Sequence, residues 1–291
     1  MRNGVIVFIA AFIALGVSWC GFVLAPVMQL GTEKQAAVLN SSDVYPIGRP
    51  GEANQGLQVY RANGCAACHT EQVQQSGFAC DVMITSAGTN PPAVIAAWWR
   101  MQTNFFPNEM TQRFYSVIPN SGGVPQFPFE RVRKEIADIA VESFQNVGAK
   151  AEIHIIAIGP DIERGWGLRR SVAEDFLYDQ PVQLGSLRAG PDLANVGARL
   201  PDANWQLVHL YAPQALVKNS TMPPFRFLFE VRKIGNAPSP DALQFSKAFA
   251  PPAGCEVVPK PEAKQLAAYL SSLRADAPLY EAPFTPVMTK P

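Results

Sequence analysis

The segment Gly64-Cys65-Ala66-Ala67-Cys68-His69 sets two thiols three positions apart, with an imidazole directly after the second. That order is the attachment signature of a c-type haem. Each thiol can add to one vinyl group of the same porphyrin, and the adjoining histidine then lies under the iron as its proximal ligand. Cys-x-x-Cys also begins zinc sites and thioredoxin-like redox pairs. A zinc site needs two more ligands, and the chain has no second Cys-x-x-Cys and no His-x-x-x-His; His154 and His209 stand alone. The motif occurs once, so one covalent haem c on Cys65 and Cys68, with His69 on the iron, is expected.

An electron-transfer haem takes a second protein ligand, commonly a methionine, whose soft neutral thioether favours ferrous iron. Met83, Met101, Met110, Met222 and Met288 follow the motif. Met222 is the expected ligand, because it lies in Asn219-Ser220-Thr221-Met222-Pro223-Pro224-Phe225, a loop stiffened by two prolines. The others read as ordinary packing methionines. Gly190-Pro191-Asp192-Leu193 resembles the Gly-Pro-x-Leu turn of class I cytochromes c. The resemblance implies that the Pro191 carbonyl accepts the Nδ1–H of His69, which fixes the ring and tunes the metal. Arg188, Arg199 and Trp205 are expected beside the haem propionates. His209 reads as a structural residue, since lone histidines usually pack or hydrogen-bond. No catalytic residue is expected.

These side chains need elements to hold them. Residues 52–63 read as a helix leading into the haem motif, with Gly56, Leu57 and Tyr60 on one face. Residues 261–274 form a second helix, with Pro261 in its first turn and a stripe of Ala263, Leu266, Leu270 and Leu273. The two are expected to cross, Gly56 and Tyr60 against Leu266 and Tyr269. Residues 202–211 make a third helix, capped by Asp202 and ended by Pro213. Residues 77–159 read as a small α/β insertion. It holds a helix around Trp98 and Trp99, a helix with Val132, Ile136, Ile139 and Phe144 in step, and a strand over 151–158. Its Trp98, Trp99, Phe105 and Phe106 suggest a docking module, or a core of its own.

Val5 to Ala25 carries no charge, and about 20 apolar residues span a bilayer. Pro26 opposes signal cleavage after Ala25, so an uncleaved single-pass anchor is expected. Arg2 orients the N-terminus to the cytoplasm and the rest outside, where disulfides survive. Cys80 and Cys255, the thiols outside motif and anchor, are expected to pair. With 24 basic and 24 acidic residues the net charge is zero, which excludes a basic nucleic-acid footprint. The expected fold is mainly α: a class I cytochrome c-like domain on one N-terminal transmembrane helix, with an α/β insertion. The divisions are 1–25 anchor, 26–50 linker, 51–76 first part of the cytochrome domain, 77–159 insertion, 160–275 second part and 276–291 tail.

The order of anchor, Tyr60-x-x-x-Gly64-Cys65-x-x-Cys68-His69-Thr70, Gly185-Ser186-x-Arg188-x-Gly190-Pro191-Asp192-Leu193-x-x-Val196-Gly197, Trp205, His209-Leu210, Pro213 and Ser220-x-Met222-Pro223 resembles subunit II of cbb3-type cytochrome c oxidases. Residues 161–174 resemble the stretch that follows the haem motif in that family. The insertion departs from it, as do Gln180 and Leu184, where the family often has His and Trp. The resemblance implies a membrane-anchored mono-haem subunit of the cell inner membrane, its haem domain periplasmic. It would take electrons from another cytochrome c and pass them to the haem–copper catalytic subunit. Two alternatives stay open: the anchored cytochrome c subunit of a nitric-oxide reductase or other respiratory complex, and a haem-based sensor with an open axial position.

Overall fold

The computed structural model describes residues 3–31, 34–39, 41–106, 124, 126–246 and 248–279. In chain order the elements are an apolar helix α1 (Gly4–Gln29), a hairpin of β1 (Ala36–Ala37) and β2 (Val44–Tyr45), and α2 (Gly51–Ala62). Next come β3 (Gly77–Ser86), α3 (Pro91–Phe105), β4 (Phe129–Val132), α4 (Lys134–Asn146) and β5 (Lys150–Ile158). After several short helical turns follow α5 (Ala203–Tyr211), β6 (Phe229–Lys233), β7 (Cys255–Pro259) and α6 (Pro261–Ser272). The fold is mainly helical, and the chain divides into two compact units, residues 1–72 with 171–279, and residues 73–170.

Helix α1 is long and apolar enough to cross a membrane and buries none of its residues in the protein. It runs past the expected end at Ala25 and through Pro26. Proline has no N–H to give, and the turn before it, Cys20–Leu24, widens to a π-type turn. The 26–50 segment is likewise not all linker, since β1 and β2 pair in it, Ala36 opposite Tyr45.

In the first unit, α2 and α6 pack as expected. α2 buries Ala53, Gly56, Leu57 and Tyr60, and α6 buries Ala263, Leu266, Ala267, Tyr269 and Leu270. A Cβ on Gly56 would collide with the Gln265 carbonyl, so only glycine permits this approach. The Tyr60 and Tyr269 rings meet at 5.1 Å. α5 is capped by Asp202, whose side chain accepts from Asn204 N–H at 2.9 Å. β6 and β7, unforeseen in the sequence, pair antiparallel with Val231 opposite Val257.

The second unit is an antiparallel sheet in the order β4-β3-β5 with α3 and α4. It spans 73–170, wider than the expected 77–159. Val132 belongs to β4 rather than to a helix, and Ile139 is 46% exposed; α4 buries Ala137, Ala140 and Phe144 instead. Trp98 is buried and donates its indole N–H to the Pro128 carbonyl at 3.0 Å, while Trp99 and Phe106 pack on the same core. Of the four aromatics, Trp98 lies in the core, Trp99 and Phe106 are half-buried against it, and Phe105 is exposed. Cys80 is fully buried in that core, and both it and Cys255 are free thiols. The expected disulfide is therefore absent, since a sealed thiol offers no sulfur to a partner outside its own core.

Candidate haem site

α2 ends at Ala62, and a short 3₁₀ turn over Cys65–Ala67 presents the two thiols. His69 N–H donates to the Cys65 carbonyl at 3.0 Å, closing the turn. Burial pushes the Cys65 thiol up to about 11, so it remains a thiol at neutral pH.

The segment after residue 184 wraps this turn. Ser186 N–H donates to the Ala66 carbonyl at 3.1 Å, Gly190 N–H to Cys68 at 3.0 Å and Leu193 N–H to Thr70 at 2.8 Å. A Cβ on Gly190 would strike the His69 ring, so glycine is required there by contact. His69 Nδ1 lies 2.8 Å from the Pro191 carbonyl. The carbonyl can only accept, which makes Nδ1 the donor and leaves Nε2 free as a ligand.

Asp192 anchors the wrap. It is wholly buried, and its carboxylate accepts from Gln72 N–H at 2.8 Å, from the Thr70 hydroxyl and from Ala194 N–H at 2.9 Å. Arg188 lies 3.6 Å from that carboxylate and donates to Thr70 Oγ1 and the Gln72 carbonyl. Arg199 donates to the Asp192 carbonyl at 3.0 Å; burial lowers its pKa, with Asp192 opposing. Both arginines thus brace the loop that positions His69. Nearby, Glu71 is buried and accepts from the Tyr269 hydroxyl at 3.0 Å; burial pushes it up to about 7, against the Tyr269 hydrogen bond and Arg49. Sequence reasoning missed Glu71 and the role of Asp192. A charged residue beside the haem motif gives no local sign of burial.

Met222 is half-buried and packs on the same apolar cluster as Cys65, Ala66, Leu207 and Phe225. Its loop is pinned: Phe225 N–H donates to Leu210 at 2.8 Å, and Gln214 Nε2 to Ser220 at 3.2 Å. Met83 and Met101 belong to the second unit, and Met110 and Met288 lie outside the described residues. Trp205 stacks on His209 with centroids 4.7 Å apart and planes 12° from parallel. His154 is exposed on β5.

The donor set fits a haem: two thiols on one turn, an oriented imidazole, a thioether on the same apolar cluster, and an orphaned buried nitrogen, His209 Nδ1. Among the described residues no three of His, Cys, Asp and Glu converge as a metal-binding group. A haem calls for none, because the porphyrin leaves only axial positions to the chain.

Residues 155–273 match the family described as cytochrome C oxidase, mono-heme subunit/FixO. The match supports subunit II of the cbb3-type oxidases, a mono-haem subunit of an oxidase complex that takes one haem. A comparison with curated proteins returned no match. The matched stretch holds Arg188, Pro191, Arg199, Trp205 and Met222 but neither cysteine of the motif nor His69. Tertiary structure joins the two, through the bonds to Ala66, Cys68, His69 and Thr70.

Proposed function

We propose that this chain is the electron-relay subunit of a cbb3-type oxidase. The haem is covalent, on Cys65 and Cys68, in a class I cytochrome c-like unit, with His69 and Met222 as its axial pair. Arg188 and Arg199, together with Trp205, border the propionates. When bound, the haem supplies a one-electron iron couple. The chain's residues set its character: His69 is oriented by Pro191, and the Met222 thioether favours ferrous iron and raises the potential. With His69 and Met222 both holding the iron, the site would offer substrate no iron position, and oxygen reduction would belong to the haem–copper partner. α1 holds the unit at the periplasmic face of the inner membrane, which keeps its concentration near that partner high. A second cytochrome c is the donor.

The observation that carries this reading is the 2.8 Å contact of His69 Nδ1 with the Pro191 carbonyl. It links the haem-attachment turn to the oxidase-subunit stretch in one site. The test is a pull-down in mild detergent with a tag on this chain. A multi-span haem–copper subunit with oxygen-reducing activity is expected. Recovery of a nitric-oxide reductase, or of no membrane partner, overturns the reading. Carbon monoxide binding to the reduced haem of this chain would favour the sensor instead.

A further inference from the structure

α5 turns three of its residues, Val208, Leu210 and Tyr211, into the apolar core. Trp205 and His209, one turn apart, occupy a different, half-buried face. On that face one atom is out of place. His209 Nδ1 is buried and has no hydrogen-bond partner. Buried polar atoms are nearly always paired, and an unpaired one costs stability. Trp205 lies flat against the ring and sets its plane. The Phe225 N–H of the Met222 loop donates to the carbonyl of Leu210, next to His209, at 2.8 Å, which ties this helix to that loop. Burial holds the His209 pKa down to about 4. At neutral pH the ring is therefore uncharged, with one donor and one acceptor nitrogen.

We infer that His209 is a positioning residue whose Nδ1–H hydrogen-bonds an acceptor set against it when the haem is bound. This rests on the haem reading above. The shared chemistry is a neutral N–H donor to a lone pair, and two sources present one there: a haem propionate oxygen and the sulfur of an axial Met222. Either bond draws electron density from the haem's surroundings, which favours ferrous iron.

The test uses the full haem-loaded chain with His209→Leu and His209→Asn, the asparagine amide standing close to where the imidazole Nδ1 stood. His209→Leu should lower the reduction potential, and His209→Asn should restore most of it. If the acceptor is a propionate, the leucine variant changes the pH dependence of the potential and spares the weak red charge-transfer band of the ferric haem. If it is the thioether, that band shifts and the pH dependence holds. Equal potentials in all three proteins overturn the inference, as does the same shift in both variants. Should the leucine variant fail to take up haem, nitrogen NMR of the reduced unsubstituted protein decides. A slowly exchanging proton on His209 Nδ1 supports the inference, and a bare Nδ1 overturns it. Absence of covalent haem in the unsubstituted protein would instead refute the haem reading itself.

Discussion

The two units finish their interiors differently. Residues 73–170 close on themselves: Cys80, Val82, Val94 and Phe144 are at 0% exposure and Phe129 at 1%, so side chains alone fill the space between sheet and helices. The unit carrying the haem motif buries Glu71, Asp192, Asn195 and Gln206 among its apolar residues. Among the described residues it also holds three of the four orphaned buried side-chain atoms, on Tyr60, His209 and Ser271. Met222, Leu207 and Phe225 reach its core only in part. Among the described residues the inserted unit buries two polar side chains, Gln102 and Asp161, whereas the other buries more of them and has apolar edges that a prosthetic group would cover.

Breaking that contrast begins with the cysteines. Cys65→Ala with Cys68→Ala should abolish covalent haem, read as loss of pigment from the denatured chain. Hydrogen exchange should then speed throughout residues 51–72 and 185–273 while β3 and α4 stay protected. Protection lost equally in both units would mean that the inserted unit is not self-sufficient.

Phe144→Ala is the converse. Phe144 is wholly buried, and the change should cost the inserted unit about 3–5 kcal/mol by cavity formation. The haem spectrum should not move. A changed spectrum would show that the two interiors are energetically linked. Calorimetry and absorption on the same samples decide it.

The smallest effect sharpens the picture within the haem unit. Glu256 accepts from Ser239 N–H at 2.6 Å and from Arg232 Nε at 2.9 Å, and these bonds hold its carboxyl below the ordinary value. A depressed carboxyl contributes stability above its unfolded pKa and loses it as the pH falls through the folded one. Glu256→Gln should flatten the acid limb of the stability profile slightly, seen in melting temperatures between pH 6 and pH 3, on the order of the carboxylate range. An unchanged limb would assign acid sensitivity to other carboxyls.

Periodicity made the helices legible. Gly56, Leu57 and Tyr60, and Ala263, Leu266 and Leu270, fall at helical spacing and are buried. Strands were harder. β6 is five residues, Phe-Glu-Val-Arg-Lys, with only its first residue buried, and its partner β7 lies 22 positions on, so neither shows a pattern alone. β4 was hidden because Val132, its last residue, stands in step with the apolar residues of α4. The disulfide expectation failed because burial of Cys80 arises from α3 and α4 covering β3, which no local stretch reveals.

The sequence by itself determined the chemistry that must be local. Two thiols and an imidazole within five residues, and an uncharged apolar run, are fixed by covalent spacing. Only the tertiary structure decided what spans the chain. His69 meets Pro191 across 122 positions, and Tyr269 reaches Glu71 across 198. Asp192 turned from a motif letter into the buried hub on which Thr70, Gln72 and Arg188 converge. Such contacts depend on packing between distant segments, where burial sets which polar group must find a partner.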